Sequence, residues 1–330
     1  MDAVDPLPVR KEAVMQRVAW SWLACLLLPI LSSAHGGVDA AKRSVEASML
    51  VTGEIAVNPD GSVYVYSLDQ RDKLPAPVVK LIDGALPHWK FTPVEVDGKP
   101  VLAKASMSLR IVAKQIDADH AAIRVKSAAF GTQTAQSEKT SECANSACLT
   151  YLERRPPIYP SNLVNDLVSG TVYLAVEVDR QGKVSQVAVE QVDLRRIADG
   201  ADLDRWRREL GLVSMKAARD WTFQVPTSGL EAGKDHWVVT VPINYSIGIP
   251  GERKAIGAPG YGQWDVYVPG PVHSIPWAEA QPKQVASQGG ADAVPDNGTP
   301  FVADTRFVLL TPIGGDDTPS TSPEATPGQG

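Results

Sequence analysis

The sequence predicts an α+β fold of two small units, each with the order strand, strand, helix, strand, followed by a disordered tail. The same order of signals occurs twice, and the composition after the second occurrence becomes rich in proline and glycine. The 330 residues have 44% hydrophobic content, enough for more than one core. The expected boundaries are a signal peptide at 1–34, a first unit at 45–113, a polar linker at 114–152, a second unit at 153–248 and the tail at 249–330.

The first unit opens with a strand of alternating apolar residues at 50–57. A turn at 58–61 ends in Asp-Gly and leads to a second strand at 62–66, which is a strong hairpin signal. Pro75 then suits the start of a helix. Another alternating strand, at 101–112, closes the unit.

The second unit repeats this order with strands at 171–178 and 183–189 around a turn that contains Gly182. Its helix is predicted from apolar residues at positions i, i+3, i+7, i+10 and i+14, which share one helix face. These residues are Leu203, Trp206, Leu210, Val213 and Ala217. A strand at 237–247 completes the unit, with an antiparallel sheet and one helix expected in each copy.

A Trp-x-Phe pair follows each predicted helix, Trp89 with Phe91 and Trp221 with Phe223. Residues two apart on a strand share one face, and an aromatic pair beside a helix is typical of a core. We therefore predict these four residues and Trp206 to be core. An exposed aromatic platform for a ligand is the alternative.

The first 34 residues have the pattern of a secretory signal peptide: basic residues, an apolar run at 18–31, then small residues. That run is shorter than the roughly 20 residues of a spanning helix. We expect export to the periplasm, with an inner-membrane anchor as the alternative. The mature chain then keeps Cys143 and Cys148, which we expect to form a disulfide, since a structural zinc site needs four ligands.

The net charge of −6, with no basic run among aromatics, argues against a nucleic-acid partner. The tail after residue 249 holds 12 prolines and 12 glycines, a level typical of disorder. Two apolar segments interrupt it, at 264–277 and 301–313. They are interpreted as transient packing, with docking motifs or added strands as alternatives.

The second unit resembles the C-terminal domain of TonB, the family that couples inner-membrane energy to outer-membrane transporters. The resemblance rests on the Pro-Pro-Ile-Tyr-Pro segment at 156–160, the Gly-Thr-Val at 170–172, the turn at 179–182, the helix end at 217–223 and the Val-Pro-Ile at 241–243. The first unit is similar but degenerate, because it lacks the Tyr-Pro segment.

The resemblance implies a binding module that pairs an extended partner segment with the last strand of its sheet, beside the Tyr-Pro segment. The implied partner is a protein, such as a segment of an outer-membrane transporter, and an uncovered edge also allows a strand-exchanged homodimer. The alternative for the Tyr-Pro pair is that it fixes the path of the chain into the fold. The residues implied are Arg154, Arg155, Pro156, Pro157, Tyr159, Pro160, Val239, Val241, Ile243 and Tyr245.

A true energy transducer would keep a membrane helix followed by a long proline-rich spacer, whereas here the proline-rich stretch follows the domains. A binding role is therefore favoured, with the transducer as an alternative. The common hydrolase, metalloprotease and nucleotide-binding motifs do not occur, so we expect no catalytic residues, no metal site and no cofactor. Two alternatives remain open: an undetected metal-binding or hydrolytic enzyme, and copper binding by His35 at a new N-terminus.

Overall fold

The computed structural model describes residues 45–115, 121–133, 147–229, 231–247, 259–279, 290–295 and 298–313. The predicted signal peptide, His35 and Cys143 lie outside these residues. None of the helices in these ranges combines the length and the apolar character needed to span a membrane.

The first unit is a hairpin and a longer strand pair with one helix. Its elements are β1 (Glu46–Val57), β2 (Val63–Leu68), α1 (Ala76–Ala85), β3 (Glu95–Val96), β4 (Lys99–Pro100), β5 (Ala103–Gln115) and β6 (Ala121–Gln133). Strand β1 pairs antiparallel with β2 on one side and with β5 on the other. Helix α1 begins directly after Pro75, as predicted, because the first turn of a helix needs no N–H donor from proline.

The second unit repeats the arrangement. Its elements are β7 (Thr150–Glu153), α2 (Ser161–Val164), β8 (Gly170–Asp179), β9 (Val184–Leu194), α3 (Gly200–Ala218), β10 (Thr222–Gln224) and β11 (His236–Tyr245). Strand β8 pairs antiparallel with both β9 and β11. The Asp199 carboxylate caps α3 by accepting the Asp202 N–H at 2.9 Å. The order strand, strand, helix, strand thus occurs twice, and the predicted α+β class is confirmed.

The hairpin turns of the two units dock on their cores in the same way. Gly61 (φ 79°) and Gly182 (φ 74°) both have a left-handed backbone that favours glycine. Each glycine carbonyl accepts the N–H of a core phenylalanine, at 2.8 Å from Phe91 and at 2.7 Å from Phe223. A Cβ at either glycine would lie 2.0 Å from the carbonyl oxygen of that phenylalanine. The turn therefore places the Trp-x-Phe segment against the hairpin.

Each unit has its own hydrophobic core between one sheet face and one helix. The core of the first unit contains Trp89 and Phe91, and that of the second contains Trp206, Trp221 and Phe223. All five side chains are buried.

The expected linker differs from the structure at residues 121–133, which form β6. This strand pairs with β5 from Ala121 to Gly131 and buries Val125, Ala128 and Phe130. Small residues and isolated charges hide its alternation in the sequence, so it has the composition of a linker although it behaves as a strand.

The described parts of the tail are also ordered elements, which corrects the expected disorder for those residues. They form β12 (Asp265–Tyr267), α4 (Pro276–Glu279) and β13 (Phe301–Ala303). The main sheet has the strand order β12-β1-β5-β6-β13-β11-β8-β9, with β2 beside β1. A bridge between Leu194 and Val268 links β9 to the residue after β12, so the sheet closes on itself. The two tail strands thus join the two units.

Candidate functional site at the outer edge of strand β11

Strand β11, the predicted binding edge, lies inside the closed sheet. On one side it pairs with β8 from His236↔Asp179 to Tyr245↔Gly170. On the other side β13 pairs with it at one position, Thr240↔Phe301. This second side is called the outer edge of β11. The chain itself occupies part of it.

Pro242 indicates which backbone groups face the outer edge. It lies opposite Tyr173 of β8, and because proline has no N–H, this pair must be of the kind whose two residues do not hydrogen-bond to each other. In an antiparallel ladder such pairs alternate with hydrogen-bonded pairs. Thr240 and Val238, two and four residues earlier, therefore also direct their N–H and C=O groups to the outer edge. Within the described residues, no strand pairs with Val238 on that side.

The predicted side chains of β11 do not reach this edge. Val239, Val241, Ile243 and Tyr245 are buried in the core of the second unit. A partner at the edge would contact β11 through backbone groups instead. The sequence of β11 indicates this burial, because its apolar residues occur at every second position and such residues share the face that packs on the helix.

The segment 154–160 is held on the second unit by internal contacts. The Arg154 guanidinium lies over the rings of Tyr151 and Trp221, at 5.1 and 5.6 Å from their centroids. The Trp221 Nε1–H donates to the Arg155 carbonyl at 2.9 Å. Arg155 and Pro156 are exposed, and Pro157 and Pro160 are half-buried.

Tyr159 is held at one end of β11 by internal contacts. Its hydroxyl donates to the Val168 carbonyl at 2.6 Å, and its ring centroid lies 5.9 Å from that of Tyr245. Burial raises the pKa of Tyr159 to about 12, so the hydroxyl keeps its proton at neutral pH. Tyr245 is seven residues from Val238, about 24 Å along a strand. The structure thus brings Tyr159 to one end of β11 and leaves the open part of the outer edge at the other end.

The tail touches both parts of the predicted binding surface. Besides the Thr240↔Phe301 pair, the Tyr151 hydroxyl donates to the Gly298 carbonyl at 3.5 Å. The Arg154 guanidinium lies so close to Gly298 that an added Cβ would be 3.0 Å from its terminal nitrogens. The Nε of Arg154 is buried, and none of the described residues accepts its hydrogen bond.

Comparisons with known proteins give a partial sequence match and no structural one. No family model and no solved structure matches the chain significantly. It is 33% identical over 107 residues to Protein TonB of Xanthomonas campestris pv. campestris strain B100, and equally to that of a second strain of this pathovar. The match supports a TonB-like C-terminal domain in this chain. It covers 32% of the chain and 42% of each relative, so the chain spans less than half of the length of the curated relatives it matches.

Two apolar residues in or next to the segment that enters the second unit are exposed. Ile158 is 86% exposed and Leu152 63%. Ile158 was not among the predicted contacts, although an apolar residue between prolines in an extended segment is a signal for one. A longer partner segment has an apolar contact available here.

Cys148 is buried and disulfide-bonded. Its expected partner, Cys143, lies outside the described residues, and that pairing stays a prediction. Within the described ranges, no group of three or more His, Cys, Asp or Glu residues is arranged to hold a metal ion.

A buried polar cluster, which the sequence analysis missed, lies between the two units. The tail residue Asp292 is fully buried and accepts hydrogen bonds from Ser127 at 2.8 Å and Tyr267 at 3.1 Å. The Lys126 ammonium is 3.1 Å from the same carboxylate, and the Arg110 Nε–H donates to the Asp292 carbonyl at 2.7 Å. These contacts fix the tail on the first unit.

On the second unit, Asp193 holds the tail through the Gly270 N–H, which donates to its carboxylate at 2.9 Å. Gln191 donates to the same oxygen at 2.9 Å. Burial, and next the negative charge of Asp292, raise the pKa of Asp193 to about 7. The contact between the second unit and the tail around Asp193 therefore contains a carboxyl group that titrates near neutral pH.

Proposed function

We propose that this chain is a TonB-like protein of the Gram-negative cell envelope that binds an extended segment of a partner protein by strand addition. One observation carries the proposal: at the outer edge of β11, a segment distant in sequence already pairs antiparallel with Thr240. The similarity to Protein TonB supports the same function. No catalytic role is proposed.

The energetic basis of the binding would be backbone hydrogen bonds, which require no particular partner side chain. Val238 and Thr240 each offer an N–H and a C=O to a strand at the outer edge. Each such bond contributes about 0.5–1.5 kcal/mol net. Pro242 offers no donor, so we expect the paired stretch to end there.

We propose a periplasmic segment of an outer-membrane transporter as the partner. The exposed residues Arg155, Pro156 and Ile158 would provide a second contact for a longer segment. The other predicted residues of 154–160 would act by holding this segment in place.

An energy transducer is the second candidate, favoured by the similarity to Protein TonB. Mass spectrometry of the mature N-terminus separates the two candidates. Cleavage after Ala34 agrees with an exported binding protein. An intact N-terminus in the membrane fraction would favour the transducer.

The binding proposal is tested with fluorescent peptides that copy the periplasmic segments of outer-membrane transporters from the same cell. We expect saturable binding to the full chain by anisotropy. Val238→Pro removes the outward N–H without removing a bond to β8, and should weaken binding by about two- to tenfold. Val238→Ala keeps that N–H and is the matched control.

Melting curves followed by circular dichroism would show that both variants fold. Equal affinity of the proline and alanine variants would contradict binding at this edge. Absence of binding to every peptide would contradict the proposed partner class.

A further inference from the structure

The segment 298–309 lies between the two units but is attached to them unequally. Strand β13 has three register pairs with β6 and one with β11. After β13, the Asp304 N–H donates to the Phe130 carbonyl at 3.0 Å, and the Thr92 N–H donates to the Val308 carbonyl at 2.9 Å. The backbone of this segment is therefore fixed mainly on the first unit.

Side-chain packing shows the same asymmetry. Phe307 and Leu309 are fully buried in the core of the first unit, and the Phe307 ring stacks on Phe130 with centroids 6.4 Å apart. Among the described residues of this segment, Val302 packs in the core of the second unit. The contact with β11 can thus open while β13 stays on β6.

The contacts of this segment also cover the predicted partner surface. Phe301 lies opposite Thr240, and Gly298 lies against Arg154. Both contacts belong to one extended stretch, since three residues span about 10 Å. The chain thus places on its own second unit the kind of segment that the proposed function assigns to a partner.

We propose that β13 is an internal occupant of the outer edge of β11, and that an extended partner segment displaces it from Thr240. This inference rests on the proposed function and adds the state of the free protein and the chemistry of the partner. The partner pairs with Val238 first, where the edge is open in the described structure, and then competes with Phe301 for Thr240.

The occupant indicates what the partner segment contains. The Phe301 side chain packs with Ala129, Ala293 and Val294 in a small apolar cluster. That cluster belongs to β6 and the tail, so it stays with β13. The side chain that the partner replaces is Val302, which packs in the core of the second unit, so we expect an apolar β-branched residue at that position. A carbonyl or carboxylate oxygen near Arg154 gains the Nε–H donor that no described residue uses.

The test locks β13 onto β11 with a disulfide in the full chain. Thr240→Cys and Phe301→Cys place cysteines at directly opposite positions of an antiparallel pair, within the range that a disulfide spans. The probe is a fluorescent peptide that copies residues 298–306 of this chain. Thr240→Cys alone, with and without reductant, is the control for effects on the existing disulfide.

We expect the oxidised double variant to bind the peptide at least tenfold more weakly than the wild-type protein. The reduced double variant should bind it at least tenfold more tightly than the wild-type protein, because loss of the Phe301 ring from its apolar cluster weakens the hold of β13 beside Thr240. Phe301→Ala should show the same gain without any new cysteine.

Equal affinity of the oxidised and reduced double variants would overturn displacement of β13, while binding of transporter peptides at Val238 would stand. No binding by the reduced variant or by Phe301→Ala would overturn the proposed specificity. Failure of the transporter peptides as well would extend the refutation to the proposed function. Amide exchange of Thr240 can be measured in the wild-type protein without any variant. Exchange as slow as that of Val239 would mean that the contact between β13 and β11 does not open.

Discussion

Replacing Asp193 with asparagine removes one buried ionisable group from the contact between the second unit and the tail. The Asp193 carboxylate accepts hydrogen bonds from Gln191 and Gly270 and lies near Asp292, Lys126 and Arg207. Its pKa is raised from 3.8 to about 7, chiefly by burial. The asparagine oxygen can accept the same two bonds, so Asp193→Asn chiefly removes the titration.

The pH dependence follows from the direction of this shift. Below pH 4 the carboxyl of Asp193 is protonated in both the folded and the unfolded chain. Between pH 4 and pH 7 the unfolded chain loses the proton and the folded chain keeps it, so the free energy of unfolding falls as pH rises. A pKa difference of about 3 corresponds to about 4 kcal/mol. Above pH 7 the contribution is constant.

The measurement is urea unfolding of the wild-type protein and Asp193→Asn from pH 4 to pH 8. Most other titrating groups are common to both proteins, so the difference between their unfolding free energies reports Asp193 together with its coupling to Asp292 and Lys126. We expect this difference to shift by about 4 kcal/mol in favour of the variant between pH 4 and pH 7.5. Parallel curves would refute the role of burial and of Asp292 in raising this pKa.

Two further predictions concern stability. Gly182→Ala should lower the free energy of unfolding by about 3 kcal/mol or more, because of the positive φ and the clash with the Phe223 carbonyl. The control is Gly84→Ala, in α1 with open space around it, which should be neutral or stabilising by less than about 1 kcal/mol. Equal effects of the two changes in thermal melts would contradict the docking of the turn. Phe307→Ala should lower the free energy of unfolding by about 3–5 kcal/mol, because the ring is buried. Leu310 is 59% exposed, so Leu310→Ala should change that free energy by no more than about 0.5 kcal/mol. A neutral Phe307→Ala would mean that the tail does not contribute to the first core.

Local patterns allowed much of each unit to be predicted from the sequence. The Asp-Gly turn, the proline before α1 and the spacing of Leu203, Trp206 and Leu210 depend on near neighbours. The fully buried side of α3 continues through Ser214 and Ala218, while the predicted Val213 is half-buried and packs against the same core. The predicted Ala217 is half-buried. Ser214 satisfies its hydroxyl by bonding Tyr245 and the Leu210 carbonyl, a long-range pairing that apolar spacing does not indicate.

The missed features depend on residues far apart in sequence. Strands β12 and β13 are three residues each, too short for a periodicity signal, and they exist because they fill positions between the units. Aspartate side chains are usually exposed, yet Asp193 and Asp292 are both buried where the units and the tail meet. The binding edge follows the same logic, because the partner of β11 on its outer side is 61 residues away along the chain, from Thr240 to Phe301.

Hydrogen exchange of the β11 amides, followed by NMR, tests strand addition at the outer edge most directly. In the free protein we expect the Val238 amide to exchange much faster than those of Trp237 and Val239, whose N–H groups face β8. A saturating amount of the 298–306 peptide should slow exchange of Val238 at least tenfold and leave Trp237 and Val239 unchanged. A Val238 amide as protected as its neighbours in the free protein, or one unaffected by the peptide, would contradict the account.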